Sequence, residues 1–321
     1  MQNSMHGLFA LIARHRVLAV GLVLLVMPFV VPYEALSVNI LIFGLFAIGF
    51  NVLFGYTGLL SFGHAAFFGL GGYGTGIVMV QWGWPWYFAI LLGVVVATLA
   101  GAAMGALAIR SKGIYFSMVT LALGQCVYYI IYKSEGLTGG ENGLRNINVK
   151  PLHFGGVTID LINPLTKYYV ILVFVMLALW LVSRVLASPF GAVLEAVREN
   201  ERRAAACGYN VALTKLLAFV ISAAICGLAG ALRALHLAIV PIDSLHYLTS
   251  GQVVMTTLLG GMGTFFGPIV GAAVFLLAED LVTNITRYWQ GVVGAIFIGF
   301  VLFFPRGIWG SILHWVRKRP A

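Results

Sequence analysis

Ten apolar runs follow one another along this chain, with short polar turns between most of them. They cover residues 17–31, 36–54, 59–80, 86–109, 114–132, 168–186, 216–232, 251–262, 266–281 and 291–304. The runs are continuous rather than alternating, which predicts membrane-spanning helices and argues against a barrel, whose strands alternate with a period of two. The last three runs are shorter than the roughly 20 residues an upright crossing needs, so eight crossings are the alternative to ten. No polar linker long enough to separate two cores interrupts the series, and residues 1–321 read as a single, all-α, polytopic membrane domain.

The polar positions between the runs set an expected topology. Arg14, His15 and Arg16 precede the first run, and no small-residue cleavage pattern follows it, so it reads as a retained helix with its N-terminus inside. Ten crossings then put both termini in the cytoplasm. Thirteen Lys and Arg residues fall inside (14, 16, 110, 112, 184, 198, 202, 203, 215, 306 and 317–319) and six outside (133, 145, 150, 167, 233 and 287). That asymmetry is the positive-inside pattern. Trp82, Trp84 and Trp86 make an aromatic turn expected at the outer interface. The longest polar stretch, 133–167, falls outside as a periplasmic loop, and its cluster Gly136, Gly139, Gly140, Glu141, Asn142 and Gly143 disfavours regular helix. So long a connector is read either as a docking or gating element or as a passive loop.

Composition agrees with the pattern, with 61% hydrophobic and only 9% charged residues. The net charge of +9 is spread over membrane flanks, so a lipid bilayer explains it better than nucleic acid. Cys126, Cys207 and Cys226 are odd in number and widely spaced, which implies neither a disulfide framework nor a metal site and leaves them as small packing residues.

Against this background one segment stands out: Glu195, Arg198, Glu199, Glu201, Arg202 and Arg203 place six charges within nine positions. Burying them at mid-membrane would cost about 15–21 kcal/mol at roughly 2.5–3.5 each, so the island lies in water. It reads as a helix capped by Ser188 with Pro189 in the first turn, with Glu195–Arg198 and Glu199–Arg203 at helical spacing and Leu194, Val197 and Ala204 on an apolar side. Its two readings are a solvated connector and a docking helix for a soluble partner.

A second feature is glycine. Eight of the 22 residues from 55 to 76 are Gly, and Gly69, Gly71 and Gly74 satisfy G-x-G-x-x-G, but no strand precedes them and no acid follows at the ribose position, so a dinucleotide site is rejected. Gly72 with Gly76, Gly101 with Gly105, and the ladder Gly263, Gly267, Gly271 are small-xxx-small pairs that let helices approach closely. The same region carries a pathway hypothesis, because transporters place Gly-interrupted helices in comparable positions of the two halves of the chain; here these are 59–76 and 259–271. Ser61, His64 and Tyr73 supply the polar atoms of the first, and His64 reads either as a satisfied buried histidine or as a proton relay.

Glu279 and Asp280 lie at the end of a run and no acid sits mid-run, which disfavours proton- or sodium-coupled transport. No Walker motif, H-E-x-x-H or G-x-S-x-G is present, so any ATP is bound by another subunit and no intramembrane enzyme is expected.

Four ordered tracts are more specific. They are G-L-L-S-F-G-H-A-A-F-F-G at 58–69, T-G-G-E-N-G-L at 138–144, S-P-F-G at 188–191 with R-E-N-E at 198–201, and L-G-G-M-G-T at 259–264 with G-P at 267–268. Together they resemble the LivM-type permease subunits of bacterial branched-chain amino-acid ABC importers, over about residues 39–308. The resemblance implies a permease bundle of the vitamin-B12-importer type in the bacterial inner membrane. It also implies a second related permease, two cytoplasmic ATPases, a periplasmic substrate-binding protein, and no cofactor of the chain's own. The segment 188–213 would be the coupling region, with Glu195, Arg198, Glu199, Glu201, Arg202, Arg203 and Gly208 facing the ATPase. It departs from the general importer signature E-A-A-x-x-x-G, because counting back from Gly208 puts Arg202 where Glu belongs and Arg203 where Ala belongs. The pathway residues would be Ser61, His64, Gly72 and Tyr73. Urea-importer permeases are similar over much of the same length, so urea or another small polar solute is the alternative substrate, and a self-sufficient carrier or channel the alternative class.

Overall fold

The computed structural model describes residues 16–149, 151–154, 157–159, 161, 163–286, 288–304 and 307–318. Arg14 and His15, and the cations Lys150, Arg287, Arg306 and Arg319 used in the topology, lie outside the described residues. Fourteen α-helices are described: α1 (Arg16–Val30), α2 (Glu34–Thr57), α3 (His64–Gln81), α4 (Trp86–Ala108), α5 (Ile114–Lys133), α6 (Glu135–Thr138), α7 (Pro164–Leu186), α8 (Pro189–Glu199), α9 (Glu201–Ala206), α10 (Val211–Leu237), α11 (Tyr247–Gly260), α12 (Gly267–Ile285), α13 (Trp289–Phe303) and α14 (Gly307–Lys318). An antiparallel pair, β1 (Leu152–Phe154) and β2 (Val157–Ile159), completes the described elements together with two 3-10 turns.

Every apolar run coincides with a helix. Six of them, α2, α4, α5, α7, α10 and α12, are long and apolar enough to cross a membrane by length and composition. The third run is corrected at its start, because α2 ends on a left-handed Gly58 and α3 begins only at His64. Residues 58–63 between them form no regular element.

α2 is apolar on every side and is buried almost throughout, as a helix without a polar face must be. It packs against α7, α10, α11 and α12, with α3 and α4 closing on α10. The outer helices α4, α5 and α7 instead turn large apolar side chains outward, among them Leu99, Ile130 and Val173, each about two-thirds exposed. Apolar surface of that extent suits lipid and not water.

Glycine permits the closest approaches, as the small-xxx-small pattern predicts. A side chain at Gly72 would meet the Gly230 carbonyl oxygen and Val240 at 3.2 Å, but its expected partner Gly76 is corrected, because it faces Leu144 and Ile147 of the long polar stretch and not a helix; Gly71 instead lies on Gly227. Gly101 and Gly105 pack on Ala223 and Phe219 of α10. The third ladder is corrected: Gly267 and Gly271 pack α12 on Gly260, whereas Gly263 has a positive φ and sits in the break before α12. Cys226 is a buried packing residue against Gly49, but Cys126 and Cys207 are exposed. Trp82 and Trp84 are exposed as an interfacial turn requires, while Trp86 is buried.

The long polar stretch is tied to the bundle. Leu144 and Val240 exchange backbone hydrogen bonds of 3.0 and 2.8 Å, and Leu144, Ile147 and Leu161 are buried. Within its glycine cluster Gly139, Gly140 and Gly143 all have positive φ, and helix is limited there to the four residues of α6 and one 3-10 turn.

Candidate functional site

Irregular backbone inside a membrane bundle needs every N–H and C=O satisfied by protein. In residues 58–63 and the first turn of α3, hydroxyls from α5 and α11 serve part of this need. Ser117 Oγ donates to the Leu60 carbonyl at 2.7 Å, Thr120 Oγ1 accepts from Phe62 N–H at 3.2 Å, and Ser250 Oγ accepts from Ala65 N–H at 2.9 Å.

Ser61 and His64, expected on the pathway, are brought together at the end of this break, and both are fully buried. Ser61 Oγ accepts from Gly63 N–H at 3.3 Å and lies 3.1 Å from His64 Nδ1; His64 Nε2 lies 2.8 Å from Ser222 Oγ, which donates to the Gly49 carbonyl at 2.5 Å. A hydroxyl has one proton to give, so Ser222, which donates to Gly49, accepts from Nε2–H. Both ring nitrogens thus have hydroxyl partners, and the ring is boxed by Phe50, Phe67 and Phe219. Gly72 and Tyr73 lie farther along α3. Gly72 faces α10, and the buried Tyr73 hydroxyl makes no hydrogen bond among the described residues.

The second interrupted region breaks between Gly260 and Gly267, and two side chains, Asn51 and Thr264, serve its backbone. Asn51 of α2 donates from Nδ2 to the Thr264 carbonyl and accepts at Oδ1 from Gly263 N–H, both at 2.9 Å. Thr264 Oγ1 closes the turn, donating to the Gly261 carbonyl at 2.7 Å and accepting from Gly267 N–H at 3.1 Å. Sequence reasoning passed over Asn51, one of two amides, with Asn39, within the run 36–54; an amide so deep in an apolar run was the available signal.

The charged island is two helices and not one. Asn200 is extended and its side chain caps α9 by accepting from Arg203 N–H at 3.0 Å, so Glu199 and Arg203 are not on one helical face. Ser188 occupies the first cap position, but its hydroxyl donates back to the Val185 carbonyl instead of capping. Leu194, Val197 and Ala204 are buried as expected. Neither expected ion pair forms: among the described residues the ion pair is Lys215–Glu201, joining α9 to α10. Arg198 instead donates to the Gly55 carbonyl at the end of α2, and its guanidinium lies against Gly263 of the second break. Arg198 is itself exposed, as are Glu195, Glu199, Arg202, Arg203 and Gly208. A cavity of about 290 Å³ lined by Lys112, Glu201, Arg202 and Lys215 puts the 110–112 turn at the same end as the island.

The tracts that built this geometry are matched by known sequences. A family model described as branched-chain amino acid transport system, permease component, matches residues 33–302. The chain belongs to this family. This branched-chain permease is 29% identical over 303 residues to the high-affinity branched-chain amino acid transport system permease protein LivM of Salmonella typhimurium, covering 88% of this chain and 71% of that protein. It is 24% identical over 288 residues to the permease protein LivH of Escherichia coli, covering 84% and 91%. A probable branched-chain amino acid transport permease LivM of Methanocaldococcus jannaschii is 24% identical over 297 residues, covering 79% and 83%. No solved structure matches the permease. Family membership makes it a multi-pass membrane transport protein.

Proposed function

We propose that this chain imports branched-chain amino acids across the bacterial inner membrane as one of two related permeases, with ATP bound by two cytoplasmic ATPase subunits and solute delivered by a periplasmic binding protein. Similarity to both LivM and LivH supports the pairing. The observation that carries the reading is the double attachment of the island. Its apolar side and Arg198 are fixed to the end of α2 and to the second break, while Arg202, Arg203, Glu195 and Glu199 face outward. An ATPase gripping the exposed side would move α8, and Arg198 would pass that movement to the backbone beside Gly263. The pathway role is divided accordingly. Ser61 and His64 hold the first break in place, and Gly72 and Tyr73 border the route. Ten crossings with both termini in the cytoplasm fit the placement of the island, the 110–112 turn and both breaks at one end, with the 144–240 bridge at the other.

Two substitutions separate gripping from transmission. Arg202→Ala with Arg203→Ala should remove ATPase subunits from the detergent-solubilised complex, since losing desolvated charges at an interface costs about 2–5 kcal/mol. Arg198→Ala should keep the ATPases and lose uptake in reconstituted liposomes. Normal uptake and full ATPase retention in both would falsify the coupling assignment. Sidedness is checked by single cysteines at Arg202 and Asn142, both exposed, in a background lacking Cys126, Cys207 and Cys226. An impermeant thiol reagent on intact cells should label only position 142.

A further inference from the structure

The end of the bundle opposite the island holds a second cavity of about 290 Å³, between the C-terminal ends of α10 and α12 and the segment leading into α11. Phe43, Arg233, Asp243, His246, Gln252 and Glu279 are among its walls. Its size is near the lower limit of the ~300–1,000 Å³ typical of small-molecule pockets, which suits a single amino acid.

Its charges are of both signs and are not closed on one another. Arg233 and Glu279 are described residues, and no ion pair joins them within 4 Å. The guanidinium carbon of Arg233 lies over the rings of Phe43 and Phe68, 5.1 and 5.7 Å from their centroids, and its Nε is buried without a hydrogen-bond partner among the described residues. The neighbouring acid shows the contrast, because Asp280 is engaged by the Tyr33 hydroxyl while Glu279 faces the cavity. A buried guanidinium nitrogen left unpaired costs stability unless another group completes it, and ionisable residues within membrane helices mark substrate routes.

We propose that this cavity is a subsite for the head group of an α-amino acid, its carboxylate held by Arg233 and its ammonium by Glu279 and Asp243. The guanidinium fork matches a carboxylate in two parallel hydrogen bonds, the carboxylates accept from ammonium, and Phe43 offers an apolar wall to the side chain. The inference rests on reading the chain as an amino-acid permease and adds a recognition point within the permease itself.

Saturation-transfer NMR on the assembled transporter in nanodiscs, without binding protein, tests it with three probes: leucine, leucinamide, which lacks the carboxylate, and 4-methylpentanoate, which lacks the ammonium. The wild type should bind leucine at least tenfold more tightly than either analogue. Arg233→Gln should weaken leucine at least tenfold and leave leucinamide unchanged, and Glu279→Gln should weaken leucine and leave 4-methylpentanoate unchanged. Should Arg233→Gln fail to assemble, Arg233→Lys keeps the charge without the fork and should still weaken leucine severalfold but not leucinamide. Equal effects on leucine and the matching analogue, or no discrimination by the wild type, overturn the subsite. Leucine uptake by the same wild-type complex with binding protein and ATP is measured in parallel. Its absence removes the permease reading, whereas uptake without discrimination removes only the subsite.

Discussion

The two helix breaks solve one problem in opposite ways. At residues 58–63 the loose backbone groups are shared among Ser117, Thr120, Ser250 and the Ser61–His64–Ser222 chain, contributed by several helices. At the second break two side chains carry the load, Asn51 from α2 and Thr264 from within the turn, each serving two backbone groups at once. Shared support tolerates loss of any one contributor, and concentrated support does not. Both breaks abut α2, so the central helix is the common reference against which each is positioned.

The largest expected effect is therefore at Asn51. Asn51→Leu leaves the Thr264 carbonyl and the Gly263 N–H without their partner, at about 1–3 kcal/mol each. Thermal unfolding in nanodiscs should drop sharply and uptake should be lost. Asn51→Asp keeps the acceptor and should fall between the two. A fully stable Asn51→Leu protein would end the contrast between the breaks.

His64→Phe comes next. It keeps ring volume among Phe50, Phe67 and Phe219 but strands the Ser61 hydroxyl, while Ser222 keeps its bond to Gly49. The expected loss is about 1–3 kcal/mol in the same unfolding measurement, with uptake reduced but present. A complete loss of uptake at normal stability would show the imidazole doing more than holding the break.

The smallest effect belongs to Ser117→Ala, which removes one hydroxyl from the Leu60 carbonyl. About 0.5–1.5 kcal/mol is expected, with uptake near normal. If its cost equals that of Asn51→Leu, support at the first break is not shared.

These breaks mark where the sequence stopped being legible. Helices were readable because hydropathy is a sum over many residues, and the glycine pairs because close packing requires absent side chains. Residues 59–63 contain as many apolar and small residues as a helix does, so the late start of α3 left no mark in hydropathy. Asn51 and its partner Gly263 are 212 positions apart, and the partner is backbone, which carries no identity to match. Arg198 was legible as a charge at the right end of the molecule, but its acceptor, the Gly55 carbonyl, is again backbone. The split of the island at Asn200 was within reach, since Asn is a favoured cap and Glu201 follows it directly; helical spacing was allowed to run through it.

The near-total burial of α2 also bears on how the protein is made. Its principal neighbour α10 emerges about 150 residues after α2 is complete, which at roughly 5–20 residues per second leaves a wait of about 8–30 s. Until then α2 lacks its main packing surface, and the Asn51 amide waits longer still for the Gly263 and Thr264 backbone. Slowed translation between residues 58 and 210 would lengthen that exposure, and so the interval in which quality-control proteases can seize the half-made chain.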